Sequence, residues 1–134
     1  MKYAILAALL FLSACATSPP VDMTGWTYAP HELTPPERQA MEAAIKATLK
    51  DPDSARFSRL KARKVFMPGG KVAIQACVFF NARNSFGGFT GATPVAGAFP
   101  YDDHSVFRIT SWRDSLLAPA VAEGCAQMGL LAMN

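Results

Sequence analysis

The chain has 134 residues, of which 51% are hydrophobic, and a formal net charge of +3. Removal of an export segment with its single lysine, Lys2, would leave 12 Lys and Arg (13 − 1) against 10 Asp and Glu, a net charge of +2. This balance is too mild to indicate a nucleic-acid partner. The remaining length suits one domain with one modest core.

An apolar export segment, residues 1–14, opens the chain. Its positive start and uninterrupted apolar run are those of a signal peptide, and the run is too short for a transmembrane helix. It ends in Leu12-Ser13-Ala14-Cys15, which resembles the lipobox of bacterial lipoproteins. The resemblance implies that Cys15 becomes the first mature residue and carries diacylglycerol and an acyl chain such as palmitate. The alternative is an ordinary secreted protein that is cut near Ser13–Ala16.

Residues 15–33 predict the lipidated cysteine followed by a flexible tether, because they are rich in Pro, Ser and Thr and show no regular period. Ala16 after the cysteine favours the outer membrane, with the protein facing the periplasm, over the inner membrane. Trp26 and Tyr28 are unusual in a linker. They either pack back onto the domain or contact a membrane interface or a partner.

Thr34-Pro35-Pro36-Glu37 predicts the start of a helix that runs to about Leu49. Thr34 can cap it, Pro35 suits the first helical position, and Glu37 completes a capping box. Apolar residues recur at helical spacing and predict one narrow buried stripe: Met41, Ala44, Ile45, Thr48 and Leu49.

The middle of the chain predicts a small antiparallel sheet. Residues 56–66 and 71–80 alternate apolar and polar side chains around a Met67-Pro68-Gly69-Gly70 turn, which is typical of a hairpin. Residues 92–103 read as an extended connection, and residues 105–112 as a third strand. A last helix should begin at Asp114 or Ser115, with an apolar stripe of Leu117, Val121, Cys125 and Met128. We therefore expect a single α+β domain over residues 34–134, with an N-terminal helix, about three strands and a C-terminal helix.

Cys77 and Cys125 are the two cysteines that remain once Cys15 carries lipid. In an oxidising compartment an even pair usually forms a bridge, so we expect a disulfide between them. Cys77 lies on the strand face opposite Ile74 and Val78. The bridge therefore requires the C-terminal helix to cover that face or its edge.

A glycine-rich loop follows the hairpin and is the least ordinary stretch of the chain. It lacks the spacing of a phosphate-binding loop. Phe86 and Phe89 flank Gly87 and Gly88, which suggests a shaped loop with inward-packing rings, and at least one of the two glycines should have a positive φ. Its polar and aromatic residues form a candidate partner-binding surface: Asn81, Asn84, Ser85, Phe86, Gly87, Gly88, Phe89 and Thr90.

Two patterns together resemble a known family. They are Asp51-Pro52-Asp53-Ser54-Ala55-x-Phe57 and, after Cys77, Asn81-Ala82-x-Asn84-Ser85-Phe86-Gly87-Gly88-Phe89-Thr90-Gly91. They resemble small exported proteins of proteobacteria, in which the second segment reads close to CGxVNAKNSFGGYTG. Here Val78, Phe80, Arg83 and Phe89 replace the family's Gly, Val, Lys and Tyr. The resemblance covers about residues 40–92 and implies no catalytic residue.

No residue set in the sequence favours catalysis. Asp102-Asp103-His104 offers metal-ligand types, but three adjacent residues rarely converge on one ion, so we expect a polar turn there. Ser85 lacks a nucleophile elbow and an evident histidine partner. We therefore expect no metal site, no cofactor other than the covalent lipid on Cys15, and no enzymatic activity.

The leading hypothesis is a lipid-anchored envelope protein whose domain is structural or binds another envelope protein through the glycine loop. The alternative is a peptidoglycan- or glycan-binding module that uses a basic stripe, Arg59, Lys61 and Arg63, with exposed aromatic rings. A hydrolase that uses Ser85 or the Asp102-Asp103-His104 cluster is a third hypothesis.

The lipobox yields a direct prediction. Cys15→Ser should abolish lipid labelling and move the protein from the membrane fraction to the soluble fraction, because the thioether can form only on sulfur. Metabolic labelling with a palmitate analogue, followed by fractionation, measures both effects. Membrane partition that is unchanged in the variant would contradict the prediction.

Overall fold

The computed structural model describes residues 22–111 and 124–129, which form a mostly β domain. Five strands form one antiparallel sheet in chain order: β1 Thr27–His31, β2 Arg56–Met67, β3 Lys71–Asn81, β4 Thr93–Phe99 and β5 Arg108–Ser111. The α-helix α1 spans Pro35–Lys46, and a 3-10 turn spans Pro52–Ser54. The prediction of an α+β fold with about three strands and two helices is therefore wrong. No helix among these residues is long and apolar enough to cross a membrane.

The two strands that the sequence did not reveal lack the usual alternation. β1 lies inside the predicted tether and contains Pro30, yet it pairs with β2 from Thr27 opposite Phe66 to His31 opposite Ala62. β4 lies inside the predicted connection and is buried on both faces, so its residues do not alternate. A search for alternating apolar and polar residues misses a short edge strand that contains proline. It also misses an inner strand that is buried on both faces.

The predicted hairpin is confirmed, since β2 and β3 pair along most of their length. Its regular register is interrupted between Ser58 and Lys61, where Arg59 has a φ of 52°. The predicted third strand begins later than expected and is β5. The predicted C-terminal helix lies largely outside the described residues, although 124–127 are helical.

The predicted start of α1 is confirmed. The Thr34 hydroxyl accepts a hydrogen bond from the Glu37 amide, and the Glu37 carboxylate accepts one from the Thr34 amide at 2.8 Å. This capping box satisfies amides that a helix otherwise leaves without partners. Met41 and Ile45, two members of the predicted stripe, are fully buried against the sheet.

β3 divides the core into two parts. Alternate residues face α1 and form the larger cluster, with Ile74, Ala76, Val78 and Phe80 joined by residues of β4. Cys77 and Phe79 point to the other face and pack with Ala96 and Cys125. The face assignment expected for Cys77 is therefore confirmed.

At Gly97, β4 lies very close to Phe107 and Arg108, where β5 begins. A Cβ on Gly97 would lie 2.5 Å from the Arg108 carbonyl oxygen and 2.5 Å from Phe107 Cζ. No side chain fits there, so glycine lets the Phe107 ring lie over β4. That ring contacts Phe99, with the two ring centroids 5.1 Å apart.

The predicted disulfide is confirmed. Cys77 and Cys125 are bonded, their Cα atoms are 5.8 Å apart, and both residues are almost completely buried. The bond holds residues 124–129 over the sheet face that α1 leaves uncovered. Met128, in the same segment, packs against the buried residues of that face.

Replacing both bridged cysteines, as Cys77→Ala/Cys125→Ala, should lower the free energy of unfolding by about 4 kcal/mol because the bridge closes a long loop in the unfolded chain. Urea unfolding of the oxidised protein measures the change, and the reduced wild-type protein is the matched control. Two titratable thiols in the oxidised, denatured wild-type protein would contradict the bridge itself.

Candidate functional site

The glycine loop, residues 81–91, leaves the end of β3 and folds back on itself as a narrow hairpin. Arg83 and Phe89 form an isolated antiparallel bridge at its middle. Below the bridge, the Thr90 amide donates to the Ala82 carbonyl oxygen at 3.2 Å. Above it, the Asn84 amide donates to the Gly88 carbonyl oxygen at 2.8 Å. The loop is therefore an ordered projection from the sheet.

Side chains complete the hydrogen bonding of the tip. Asn84 Oδ1 accepts from the Phe86 amide at 2.9 Å and from the Gly88 amide at 3.2 Å. Asn81 Oδ1 accepts from the Gly91 amide at 3.1 Å at the base of the loop. An asparagine side chain that binds backbone amides in this way imitates a turn. Asn81 and Asn84, which the sequence assigned to the candidate surface, thus shape the loop.

The base of the loop rests on the 3-10 turn. The Arg83 amide donates to Ser54 Oγ at 2.9 Å, and Ser54 Oγ donates to the Asp51 carbonyl oxygen at 2.8 Å. The two patterns that carried the family resemblance, one around Ser54 and one around Asn84, are therefore in direct contact.

Gly87 has a φ of +81°, whereas Gly88 does not adopt a positive φ. The prediction that at least one of the two glycines requires this conformation is confirmed. It occurs where the chain reverses at the tip, since the Gly87 amide donates to the Asn84 carbonyl oxygen at 3.1 Å.

The prediction that both aromatic rings pack inward is wrong. Phe86 is 96% exposed and Phe89 is 48% exposed. The narrow hairpin carries Phe86 at its tip, beyond the reach of the core. Phe89 instead lies beside the Arg83 guanidinium, whose carbon is 5.5 Å from the ring centroid. The loop therefore presents one free ring and one ring stacked on a cation.

A cavity of about 250 Å³ lies between this loop and the segment that follows α1. Its walls combine the edge of the core with polar loop residues and two cations, Lys50 and Arg83. The lining residues are Leu49, Lys50, Phe80, Ala82, Arg83, Asn84, Ser85, Thr90 and Thr93. The cavity extends the loop surface, and its cationic wall favours carbonyl or carboxylate groups on whatever binds there.

The residues of the hydrolase hypothesis do not come together. Ser85 lies beyond the end of β3, whereas His104 Nε2 donates to the carbonyl oxygen of Val72, near the start of the same strand, at 2.8 Å. Asp103 accepts hydrogen bonds from the Ser105 hydroxyl and amide, and these bonds hold the pKa of Asp103 below its ordinary value. In the described part of the chain, no three His, Cys, Asp or Glu residues are placed to hold a metal ion.

Sequence reasoning missed a polar pair between β1 and α1. His31 Nε2 donates to Glu37 Oε2 at 3.0 Å, and the same carboxylate oxygen caps the helix. Partial burial raises the pKa of Glu37, but the hydrogen bonds from Thr34 and His31 outweigh burial and leave that pKa below its ordinary value. Only the pairing of β1 brings His31 to the helix, so no local sequence signal reveals the pair.

The predicted basic stripe is broken by the irregularity at Arg59. The Arg63 side chain already has partners within the domain. Its Nε donates to Gln75 Oε1 at 2.8 Å, and its guanidinium carbon lies 4.1 Å from the centroid of the Tyr28 ring. Lys61 remains exposed beside a cavity of about 340 Å³ that Tyr28 and Gln127 also line. Tyr28 thus packs back onto the domain, one of the two outcomes expected for it.

Comparison with protein-family models, with curated proteins and with solved structures finds no match to this chain. The lipobox and family resemblances therefore stay predictions.

The two loop glycines form a matched pair for mutagenesis. Gly87→Ala should lower the free energy of unfolding by about 1 kcal/mol, because a side chain at a positive φ is strained. Gly88→Ala should change it little, because a Cβ there meets only Asn84 Oδ1 at 3.9 Å. Urea unfolding of both variants measures the difference, and Ser85→Ala serves as a surface control. Equal losses for the two glycine variants would contradict the assigned backbone.

Proposed function

We propose that this protein is a lipid-anchored, non-enzymatic module of the cell envelope that binds a partner protein through the glycine loop. The observation that carries the proposal is Phe86, a large apolar side chain that is 96% exposed at the tip of a hydrogen-bonded hairpin. A residue that contributes only to folding has no reason to stand there, because burial is what stabilises a phenylalanine.

The order of the loop supports binding. A preformed tip loses little conformational entropy when it docks, so more of the contact free energy appears as affinity. Aromatic and arginine side chains are frequent among residues that dominate binding energy, and the loop presents Phe86, Phe89 and Arg83 together. The partner surface that fits has an apolar pocket for one ring and acidic or carbonyl groups that face Arg83 and Lys50.

A glycan-binding function is the second candidate. The cavity between Tyr28, Lys61 and Gln127 combines an aromatic ring, a cation and an amide, which are groups that bind sugars. One face of Tyr28 already carries the Arg63 guanidinium, which leaves at most the other face for stacking. Retention of the protein by purified sacculi, lost in Tyr28→Ala but not in Phe86→Ala, would favour this candidate.

Crosslinking in cells tests the loop directly. A photo-reactive phenylalanine at position 86 should capture a specific envelope protein, whereas the same group at Tyr101, an exposed aromatic at the other end of the sheet, should not capture that protein. Phe86→Ala should weaken binding of the captured partner about 30-fold or more if the ring is an anchor residue, while the free energy of unfolding stays unchanged.

The same capture from both positions, or binding that Phe86→Ala does not weaken, would contradict the proposal. A hydrolysis rate that Ser85→Ala abolishes would contradict the non-enzymatic assignment.

A further inference from the structure

The glycine loop and the N-terminal chain lie at opposite ends of the sheet. The loop follows Asn81, the last residue of β3. β1 begins with Thr27 opposite Phe66, beside the turn that precedes β3, and a Cβ on Gly25 would lie 3.7 Å from Pro68. The eleven residues of β3 separate the two ends by about 35 Å.

Several exposed apolar side chains lie at the end of the sheet where the N-terminal chain enters. Met23 is 60% exposed, Tyr101 is 51% exposed and Phe66 is 38% exposed. The Trp26 amide donates to the Met23 carbonyl oxygen, Phe66 lies opposite Val72, and the Lys71 ammonium is 4.5 Å from the centroid of the Tyr101 ring. We call the exposed residues Met23, Phe66, Tyr101 and Val106, together with the half-buried Trp26, the anchor-side surface.

The length of chain that precedes this surface limits what can cover it. Asp22 is only seven positions after Cys15, so the two Cα atoms are at most about 25 Å apart even in an extended chain. If Cys15 is inserted in a bilayer, as proposed above, Asp22 is held within that distance of the lipid, and the anchor-side surface begins at the next residue, Met23. The composition also fits, since Trp and Tyr are enriched at membrane–water interfaces.

We propose that the anchor-side surface rests in the headgroup region of the bilayer that holds Cys15, so that the glycine loop points away from the membrane. The apolar side chains enter the boundary between headgroups and acyl chains, where burial to a depth of about 5–10 Å is typical of surface-bound segments. The domain is thereby oriented, and Phe86 faces the periplasm.

Charge does not drive this contact. Acidic and basic residues balance at this end of the sheet. The acidic residues are Asp22, Asp102 and Asp103, and the basic residues are Lys64, Lys71 and Arg108, which lies near Asp103. Burial of apolar surface is therefore the main attraction. The contact should form equally on zwitterionic and anionic vesicles and should persist when salt is raised.

Fluorescence quenching of the full, lipidated protein in vesicles tests the orientation. An environment-sensitive dye is attached at Asp102→Cys, beside Tyr101, or at Ser85→Cys, beside Phe86; both residues are exposed, and the native cysteines are occupied by lipid or by the disulfide. Phospholipids with a nitroxide high on the acyl chain should quench the dye at position 102 several-fold more than the dye at position 85.

A variant that keeps the N-terminal chain but lacks apolar side chains of the anchor-side surface distinguishes contact with the lipid from mere nearness to the anchor. Met23→Ser/Tyr101→Ser should abolish most of the quenching at position 102, because it removes two exposed apolar side chains without disturbing the core. Quenching that the variant leaves unchanged would show that nearness to the anchor alone produces the signal, and would overturn the inference. Equal quenching at positions 85 and 102 would also overturn it.

Two further outcomes are distinguishable. Mass spectrometry that finds no lipid on Cys15 would overturn both this inference and the anchored state on which it depends. A lipidated protein that floats with vesicles, but whose dye at position 102 is shielded from water and not quenched by lipid, would show that a protein covers the surface. That result would overturn the inference and leave the proposed function intact.

Discussion

Burial of β3 on both faces is the constraint on which the rest of the domain depends. One face receives α1, a helix of twelve residues whose apolar stripe supplies Met41 and Ile45. The other face has no such helix within the described residues and is covered beside Cys77 by the segment that contains Cys125. A small domain has little apolar surface to bury, so a covalent bond that holds the second cover in place adds stability that packing alone does not supply.

The same strand gives the domain two different ends. At one end its chain turns into the glycine loop, where asparagine side chains bind the backbone amides and the Phe86 ring is exposed. At the other end the N-terminal chain, the β2–β3 turn and the segment after β4 converge. The proposed function and the proposed membrane contact assign one end to a partner and the other to the lipid. A rigid antiparallel sheet between them keeps the two surfaces apart.

Polar residues and a glycine fix the shape of the loop that carries the exposed Phe86 ring. Asn84 accepts from two amides, Gly87 allows the reversal, and Ser54 holds Arg83 from the neighbouring turn. Each interaction is local or comes from an adjacent segment, so the shape of the tip does not depend on Phe86. The ring can therefore contribute its apolar surface to binding, because it contributes little to folding.

The sequence by itself determined the features whose causes are local: the capped start of α1, the β2–β3 hairpin, the opposite facing of Cys77 and Ile74, and a positive φ at one of Gly87 and Gly88. The tertiary structure decided the rest. β1 and β4 became strands because neighbouring strands supply their hydrogen bonds, which no local pattern records. The basic stripe was broken by an irregularity at Arg59 that only pairing creates. Phe86 points outward because the loop projects beyond the end of β3, away from the core. The distance of a residue from the core is a property of the folded chain.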